Sequence, residues 1–244
     1  MTGIRAKSRS WRVLRYGFGA LLCLLTVVAA RAGLRWYWSV VVLCGAFLII
    51  LGRRRIFRLG VTRTASEITC RYIPWYEGNA YYLNILLPLT GVAMFAAGND
   101  PGNPAWLAFG GIILLVLTPL FTYSAVRMWR RCLLCITPSV LAVRLAGPKD
   151  ELTEIRREYV QSITPKMIPY TVSGAESLQV EITYHATDLS SDTTKTVLLG
   201  PQLSVQPNNL LDALVAWKDA TDENPNALLD RIERILRGRE MADV

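Results

Sequence analysis

Apolar positions in this chain come first in long unbroken runs and later in short alternations, and the rhythm changes near residue 127. Four runs stand out, at about 13–30, 36–51, 80–98 and 105–126. A hydrocarbon core about 30 Å thick asks for roughly 20 apolar residues in a helix. The fourth run meets that requirement alone. The first two are slightly short, and aromatic or arginine flanks complete crossings of that length. Four such runs in succession, with basic flanks, read as four transmembrane helices rather than buried helices of a soluble protein. Lys7, Arg9, Arg12 and Arg15 precede the first run, as they would in a signal peptide. A second apolar run follows almost at once, without a small-x-small site and a polar start between them, so the first run reads as a retained span.

Beyond residue 127 the pattern predicts about five strands: Arg131–Ile136, Val140–Leu145, Ile155–Ile163, Ser177–Tyr184 and Thr194–Leu199. Ser177–Tyr184 alternates most cleanly, with Leu178, Val180, Ile182 and Tyr184 on one side and Gln179, Glu181 and Thr183 on the other. Pro138-Ser139 and Gly147-Pro148-Lys149-Asp150 are turns by composition. A loop is expected through Pro165 and Pro169, and a polar hairpin loop at Asp188–Thr193. Two helices follow, at about 208–218 with an asparagine cap and about 226–237. In the second, Leu228, Leu229, Ile232, Ile235 and Leu236 line one side, and packing on its own domain accounts for that face.

A strand-containing insert, 53–79, separates the second and third spans. Val61-Thr62 reads as a turn, and Glu67–Ile73 as an extended piece rich in β-branched residues, closed by Ile73-Pro74-Trp75. Gly60-Val61-Thr62 aligns with Cys135-Ile136-Thr137 as a weak internal echo. Either the chain holds two units of paired spans plus strands, the first abbreviated, or two membrane-exit segments look alike by chance. An exposed strand edge is a liability, so Leu59–Gly78 is expected to pack against the domain after Arg130. The plan is thus a four-span domain, 1–126, carrying the insert, followed by an α+β domain, 127–244.

Charge orients this plan. Arg5, Lys7, Arg9, Arg12 and Arg15 precede the first span, Arg53, Arg54, Arg55 and Arg58 follow the second, and Arg127, Arg130 and Arg131 follow the fourth. The loop between the third and fourth spans has no Lys or Arg and contains Asp100. The positive-inside rule puts both termini in the cytoplasm, as in a multi-pass protein of the cytoplasmic (inner) membrane. Arg31 and Arg35 dissent, sitting beside Trp36, Tyr37 and Trp38. Trp36, Trp38, Arg53, Arg54, Arg55, Trp75, Arg130 and Arg131 are the expected membrane-interface anchors. The net charge of +8 lies mostly in these flanks, which suits anionic phospholipids rather than nucleic acid.

Within the spans, Pro88 and Pro119 mark kinks, and Asn84 is placed to hydrogen-bond to a neighbouring helix. Gly91, Ala93, Gly110 and Gly111 allow close helix packing, either internal or with a partner's helix. No ionisable residue sits at the centre of a span, which argues against a proton- or ion-coupled transporter.

The chemistry-bearing residues are few. Cys132 and Cys135 form a lone CxxC, weak evidence for zinc or redox work and better read as two cysteines of an apolar strand. His185, the sole histidine, lies near Asp188, Ser190 and Ser191, but nearness in sequence does not build a triad. There is no nucleotide-binding glycine loop. No cofactor, metal or catalytic residue is expected. Arg71, Tyr72, Tyr76 and Glu77 could line a lipid-headgroup pocket, although interfacial aromatics are ordinary.

The pieces LLCITPSVLAVRL, IRREYVQSI, LQVEITY, TKTVLLGP and NNLLDALVAW resemble the small β-domains of bacterial membrane proteins with a pleckstrin-homology-like fold. The resemblance covers about Arg130–Lys218 and implies an antiparallel β-roll closed by a helix. Such rolls have seven strands where five are counted here, and the insert could supply the others. The layout also resembles actinobacterial four-span inner-membrane proteins, among them accessory subunits of Mce-type lipid importers. That resemblance implies a non-catalytic accessory or scaffold subunit bound to an integral membrane partner, a lipid-transport permease complex. Two alternatives stay open: an autonomous membrane-anchored lipid-binding or sensing module, and a small transporter or membrane enzyme.

Overall fold

In a computed structural model the chain forms two compact units. The structure describes residues 3–51, 56–147, 151–169, 176–186, 193–200, 202–220 and 224–238. One unit is helical and comprises residues 1–55 and 77–125; the other, comprising 56–76 and 126–244, mixes strands and helices.

The helical unit starts with α1 (Gly3–Arg31) and α2 (Trp36–Leu51). Next come α3 (Gly78–Tyr81), a π-helical turn (Tyr82–Leu86) and α4 (Leu87–Gly98), which together make one apolar rod from Gly78 to Gly98. The last helix, α5 (Trp106–Arg131), runs on into the second unit. Among the described residues, three helical stretches are long and apolar enough to cross a membrane: Leu14–Arg31, Gly78–Gly98 and Trp106–Arg131. α2 is equally apolar but shorter.

The π turn has a cause in the sequence. Pro88 has no N–H to offer the carbonyl one turn back, and its ring crowds that carbonyl. The ladder widens just before it, so that the Leu87 N–H reaches Tyr82 O. Asn84, inside the widened turn, bonds back to Ala80 O (2.8 Å) and accepts from Thr122 Oγ1 on α5 (2.8 Å). This is the interhelical bond its position suggested.

The second unit has eight strands among the described residues, in two antiparallel sheets. The first sheet runs in order through β1 (Val61–Arg63), β2 (Ile68–Arg71), β3 (Leu133–Ile136), β4 (Val140–Arg144) and β5 (Thr153–Arg156). The second holds β6 (Val160–Pro169), β7 (Glu176–Ala186) and β8 (Thr193–Leu199). α6 (Pro207–Asp219) and α7 (Pro225–Leu236) complete the unit.

Four sequence expectations are corrected. The stretch expected as one strand over Ile155–Ile163 is broken by a 3-10 turn, Arg157–Tyr159, and this break divides the two sheets. The loop expected through Pro165 and Pro169 is instead the continuation of β6. Its place at the edge of its sheet explains the tolerance, because an edge strand can carry residues that donate no ladder bond. Val61-Thr62 belongs to a strand rather than a turn. No asparagine side chain caps α6: its N-cap is Gln206, with Pro207 in the first turn, whereas Asn224 does cap α7 by accepting from Asn226 N (3.0 Å). The turn at Gly147–Asp150 and the loop at Asp188–Thr193 lie largely outside the described residues.

One core serves both sheets and both helices. Ile68, Leu134, Ile136 and Leu141 from the first sheet join Val180 and Ile182 from the second, with Leu214, Trp217, Leu228 and Ile232 from the helices. Period two in the strands and a 3.6-residue stripe in α7 put these side chains on facing surfaces. Trp217 is fully buried and its indole N–H donates to Thr137 O (2.7 Å), pinning α6 to the β3–β4 turn. The segment before α6 is tied to the insert by Gly60 N to Ser204 O (2.9 Å) and Ile73 N to Ser204 Oγ (3.0 Å). A side chain at Gly60 would lie 2.2 Å from Arg71 O, so only glycine permits that crossing.

Candidate functional site: packing faces and interface aromatics

The expected packing residues divide between two helix faces within the helical unit. A Cβ on Gly111 would lie 2.5 Å from Phe95 N and 2.6 Å from Gly91 O, and one on Gly91 would lie 3.1 Å from Gly111 O. Gly91 and Gly111 therefore bring α4 and α5 into backbone contact, as small residues do in membrane helices. Ala93 is fully buried in a cluster with Tyr37, Ala97 and Leu107. Gly110 faces only the flexible end of Met94. Gly91, Ala93 and Gly111 are thus occupied inside the chain. Large exposed side chains of this unit include Leu14, Phe18, Leu21 and Leu25 on α1, Leu89, Val92 and Phe95 on α4, and Phe109, Val116, Leu120 and Tyr123 on α5.

The two interhelical loops of this unit share a polar cluster. Arg35 pairs with Asp100, and the Tyr37 hydroxyl donates to the same carboxylate. Asn103 Nδ2 reaches Ala97 O (2.9 Å) and Tyr37 Oη (3.2 Å). Sequence reading counted Arg35 against the charge rule and Asp100 for it, but missed that they neutralise each other. The signal was available: each is an isolated charge in a short loop joining apolar helices.

Among the expected anchors, Trp36 is exposed, whereas Trp38 packs against the Tyr37–Ala93 cluster. Arg53, Arg54 and Arg55 lie outside the described residues. Arg130 is exposed. Arg131 donates to Gly147 O (2.9 Å).

Trp75 meets Trp129 edge-on, with ring centroids 4.9 Å apart, and both are about half exposed. Next to Trp75, the Tyr76 ring carries the Arg58 guanidinium 5.2 Å above it. Phe57 is 53% exposed, and its N–H bonds to Tyr76 O (2.7 Å). Phe57 and Trp129 were not singled out in the sequence. Of the residues expected in an Arg71–Glu77 pocket, Tyr72 is instead buried in the core.

The chemistry-bearing side chains lie in separate surroundings. Cys135 lies in β3 and is half-buried, while Cys132, just before that strand, is buried. Cys132 Sγ is 3.7 Å from Gln202 Oε1, while Cys135 Sγ donates to Glu67 Oε2 (2.9 Å). Burial, with the hydrogen bond and charge of Glu67, pushes the Cys135 thiol up to about 12. Burial, with Cys135 nearby, pushes Cys70 up to about 12. With pKa values this high both are neutral thiols near pH 7, the less nucleophilic form. Among the described residues no three His, Cys, Asp or Glu gather as a metal set. His185 sits against the Gln161 side chain. A cleft of about 600 Å³ lies between β6 and the two helices, lined by Ile163, Pro165, Leu211, Val215 and Ile235 with Asp212 and Arg231 at its rim.

No family model matches this chain, and no curated protein or solved structure matches it either.

Proposed function

We propose that this chain is a four-span inner-membrane protein that works as a non-catalytic accessory or scaffold subunit of a larger complex, its partner a lipid-transport permease. In this reading α2 completes a fourth crossing, both termini face the cytoplasm, and the second unit is a pleckstrin-homology-like platform. One observation carries the proposal. The platform is assembled from the segments that follow both helical pairs, by pairing of Ile68–Arg71 with Leu133–Ile136. A domain that the chain enters or leaves at three places beside apolar helices suits a docking part better than a singly tethered catalyst. The half-exposed aromatics at Phe57, Trp75 and Trp129 favour a second reading, an autonomous lipid-binding module.

Purification of epitope-tagged protein from its native membrane tests the first reading. A larger integral membrane partner should come down in fixed proportion. Recovery of the free protein alone, in repeated mild extractions, would favour the lipid-binding module. A fluorescent reporter that matures only in the cytoplasm, fused after Val244, should be bright. A dark, fully translated fusion would reject the orientation.

A further inference from the structure

The aromatic cluster at Phe57, Trp75, Tyr76 and Trp129 lies at a calculable depth. The apolar part of α5, Trp106 to Val126, has 21 residues. At 1.5 Å per residue this is roughly 31 Å, the thickness of the hydrocarbon core. Trp129 follows three residues later, about 4–5 Å further along the axis. The headgroup layer on each side is about 5–8 Å deep, so Trp129 falls within it. Trp75 touches Trp129, and the Arg58 guanidinium is held over the neighbouring Tyr76 ring. The cluster therefore presents flat amphipathic rings at the depth where such rings accumulate in bilayers. It adds to them one guanidinium whose position is fixed by a ring face rather than by a carboxylate. Arg130, exposed and next after Trp129 in α5, brings a second guanidinium to the same helix end.

From this we infer that Phe57, Trp75, Tyr76 and Trp129, with Arg58 and Arg130, form a headgroup site for an anionic phospholipid. The rings take the glycerol and upper acyl region, and the two guanidinium groups take the phosphate. Guanidinium is suited to that role because its planar fork matches phosphate oxygens. The Trp75–Trp129 contact has a further consequence: a lipid seated there bridges the segment after α2 to the end of α5, and so stabilises the joint on which the platform depends. The inference rests on the membrane reading of the chain and is independent of which protein the complex contains.

Native mass spectrometry of the full-length protein in mild detergent tests the site, with equal amounts of dioleoylphosphatidylglycerol or dioleoylphosphatidylcholine added. The anionic lipid should stay bound at collision energies that strip the zwitterionic one. Arg58→Gln and Arg130→Gln should each reduce the preference about five-fold, as expected for one cationic side chain near an anionic surface. Arg58→Lys, which keeps the charge, should retain most of it. Arg157→Gln, at the turn between the two sheets, should leave it unchanged, and the melting temperature of each variant reports whether folding is intact. Equal binding of the two lipids, or an undiminished preference in the folded Arg58→Gln/Arg130→Gln double variant, would overturn the inference. So would complete displacement by millimolar glycerol 3-phosphate, which would mark a phosphate site without lipid. Recovery of the protein partner in the same preparations reads the proposed function separately.

Discussion

The stretches that follow α2 and α5 begin alike and end differently. Each leaves a helix whose last carbonyls are capped by an arginine side chain. Arg15 donates to Ile49 O and Ile50 O at the end of α2, and Arg144 donates to Arg131 O (2.8 Å) and Arg130 O at the end of α5. Cationic caps suit helix C-termini, where carbonyls lack partners and the dipole is negative. Each stretch then forms a hairpin closed at a threonine: Thr64 N bonds to Glu67 O (2.9 Å), and Thr137 N to Val140 O (3.0 Å). After the hairpin they part. The first stretch stops at Tyr76, while the second adds β5 to β8, α6 and α7. A two-stranded hairpin cannot fold alone, so the first stretch depends on the second, which supplies the core side chains it packs against. The dependence runs through β2 and β3.

Removing the core from the longer stretch should have the largest effect. Trp217→Ala takes out a fully buried indole and its bond to Thr137 O, at a cost of about 3–5 kcal/mol. Limited proteolysis should then cut both after Arg131 and within 56–76. Cleavage confined to the later segment would show that the insert stands without its partner.

The helical pairs can be compared through their glycines. A Cβ on Gly111 meets backbone at 2.5 Å, whereas one on Gly19 meets the side chain of Ile50 at 2.5 Å and backbone, Ala46 O, at an ordinary 3.5 Å. Gly111→Ala should lower thermal stability by about 1–3 kcal/mol, and Gly19→Ala by clearly less, as measured by melting in detergent. Equal losses would mean that the two helix contacts are equivalent. Arg144→Ala should cost about 1 kcal/mol through the lost carbonyl bonds, with Arg144→Lys recovering part of it.

The smallest effect is chemical and distinguishes the folded chain from the unfolded one. Across the joint Cys70 lies opposite Leu134 and Cys135 opposite Thr69, and each thiol is raised from 9.0 to about 12. The folded state favours the neutral thiols. Their contribution to stability is full below about pH 9 and is lost as pH climbs toward 12. Alkylation of these two cysteines by iodoacetamide should stay slow from about pH 8 to about pH 10 in folded protein, and rise steeply in denatured protein over that range, where free thiols ionise. A matching rise in folded protein would contradict the burial and the Glu67 hydrogen bond.

Much of this architecture was legible from pattern alone. Helix α2 occupies the 16 residues of its apolar run, and α7 buries Leu228, Leu229, Ile232, Ile235 and Leu236, the five residues of its amphipathic face. Long runs and amphipathic stripes are local signals, and local signals survive folding. The strand count failed where the deciding fact was not local. Pro165 and Pro169 read as loop because proline cannot serve a central strand, and nothing in the nearby sequence says that β6 is an edge. The echo was aligned on Thr62 rather than Thr64, since a strand residue and a turn residue of the same type look identical until the closing hydrogen bond is known. The glycines at 91 and 111 were legible as packing residues, but their partner, each other, depends on how α4 and α5 are set side by side. Phe57 and Trp129 passed unnoticed because aromatic residues near spans are common and only their meeting with Tyr76 and Trp75 sets these two apart.

The dependence of one stretch on the other is best tested at the β2–β3 joint, where Arg71 lies opposite Leu133 in the ladder. The double variant Arg71→Cys/Leu133→Cys, carrying a protease site in the loop between α4 and α5, would be oxidised in native membranes, cut, and run without reductant. The two halves should stay joined, and should separate on reduction or when either new cysteine is absent. Halves that separate without reductant, after complete cutting of a fully folded protein, would contradict the account of a platform built from both segments.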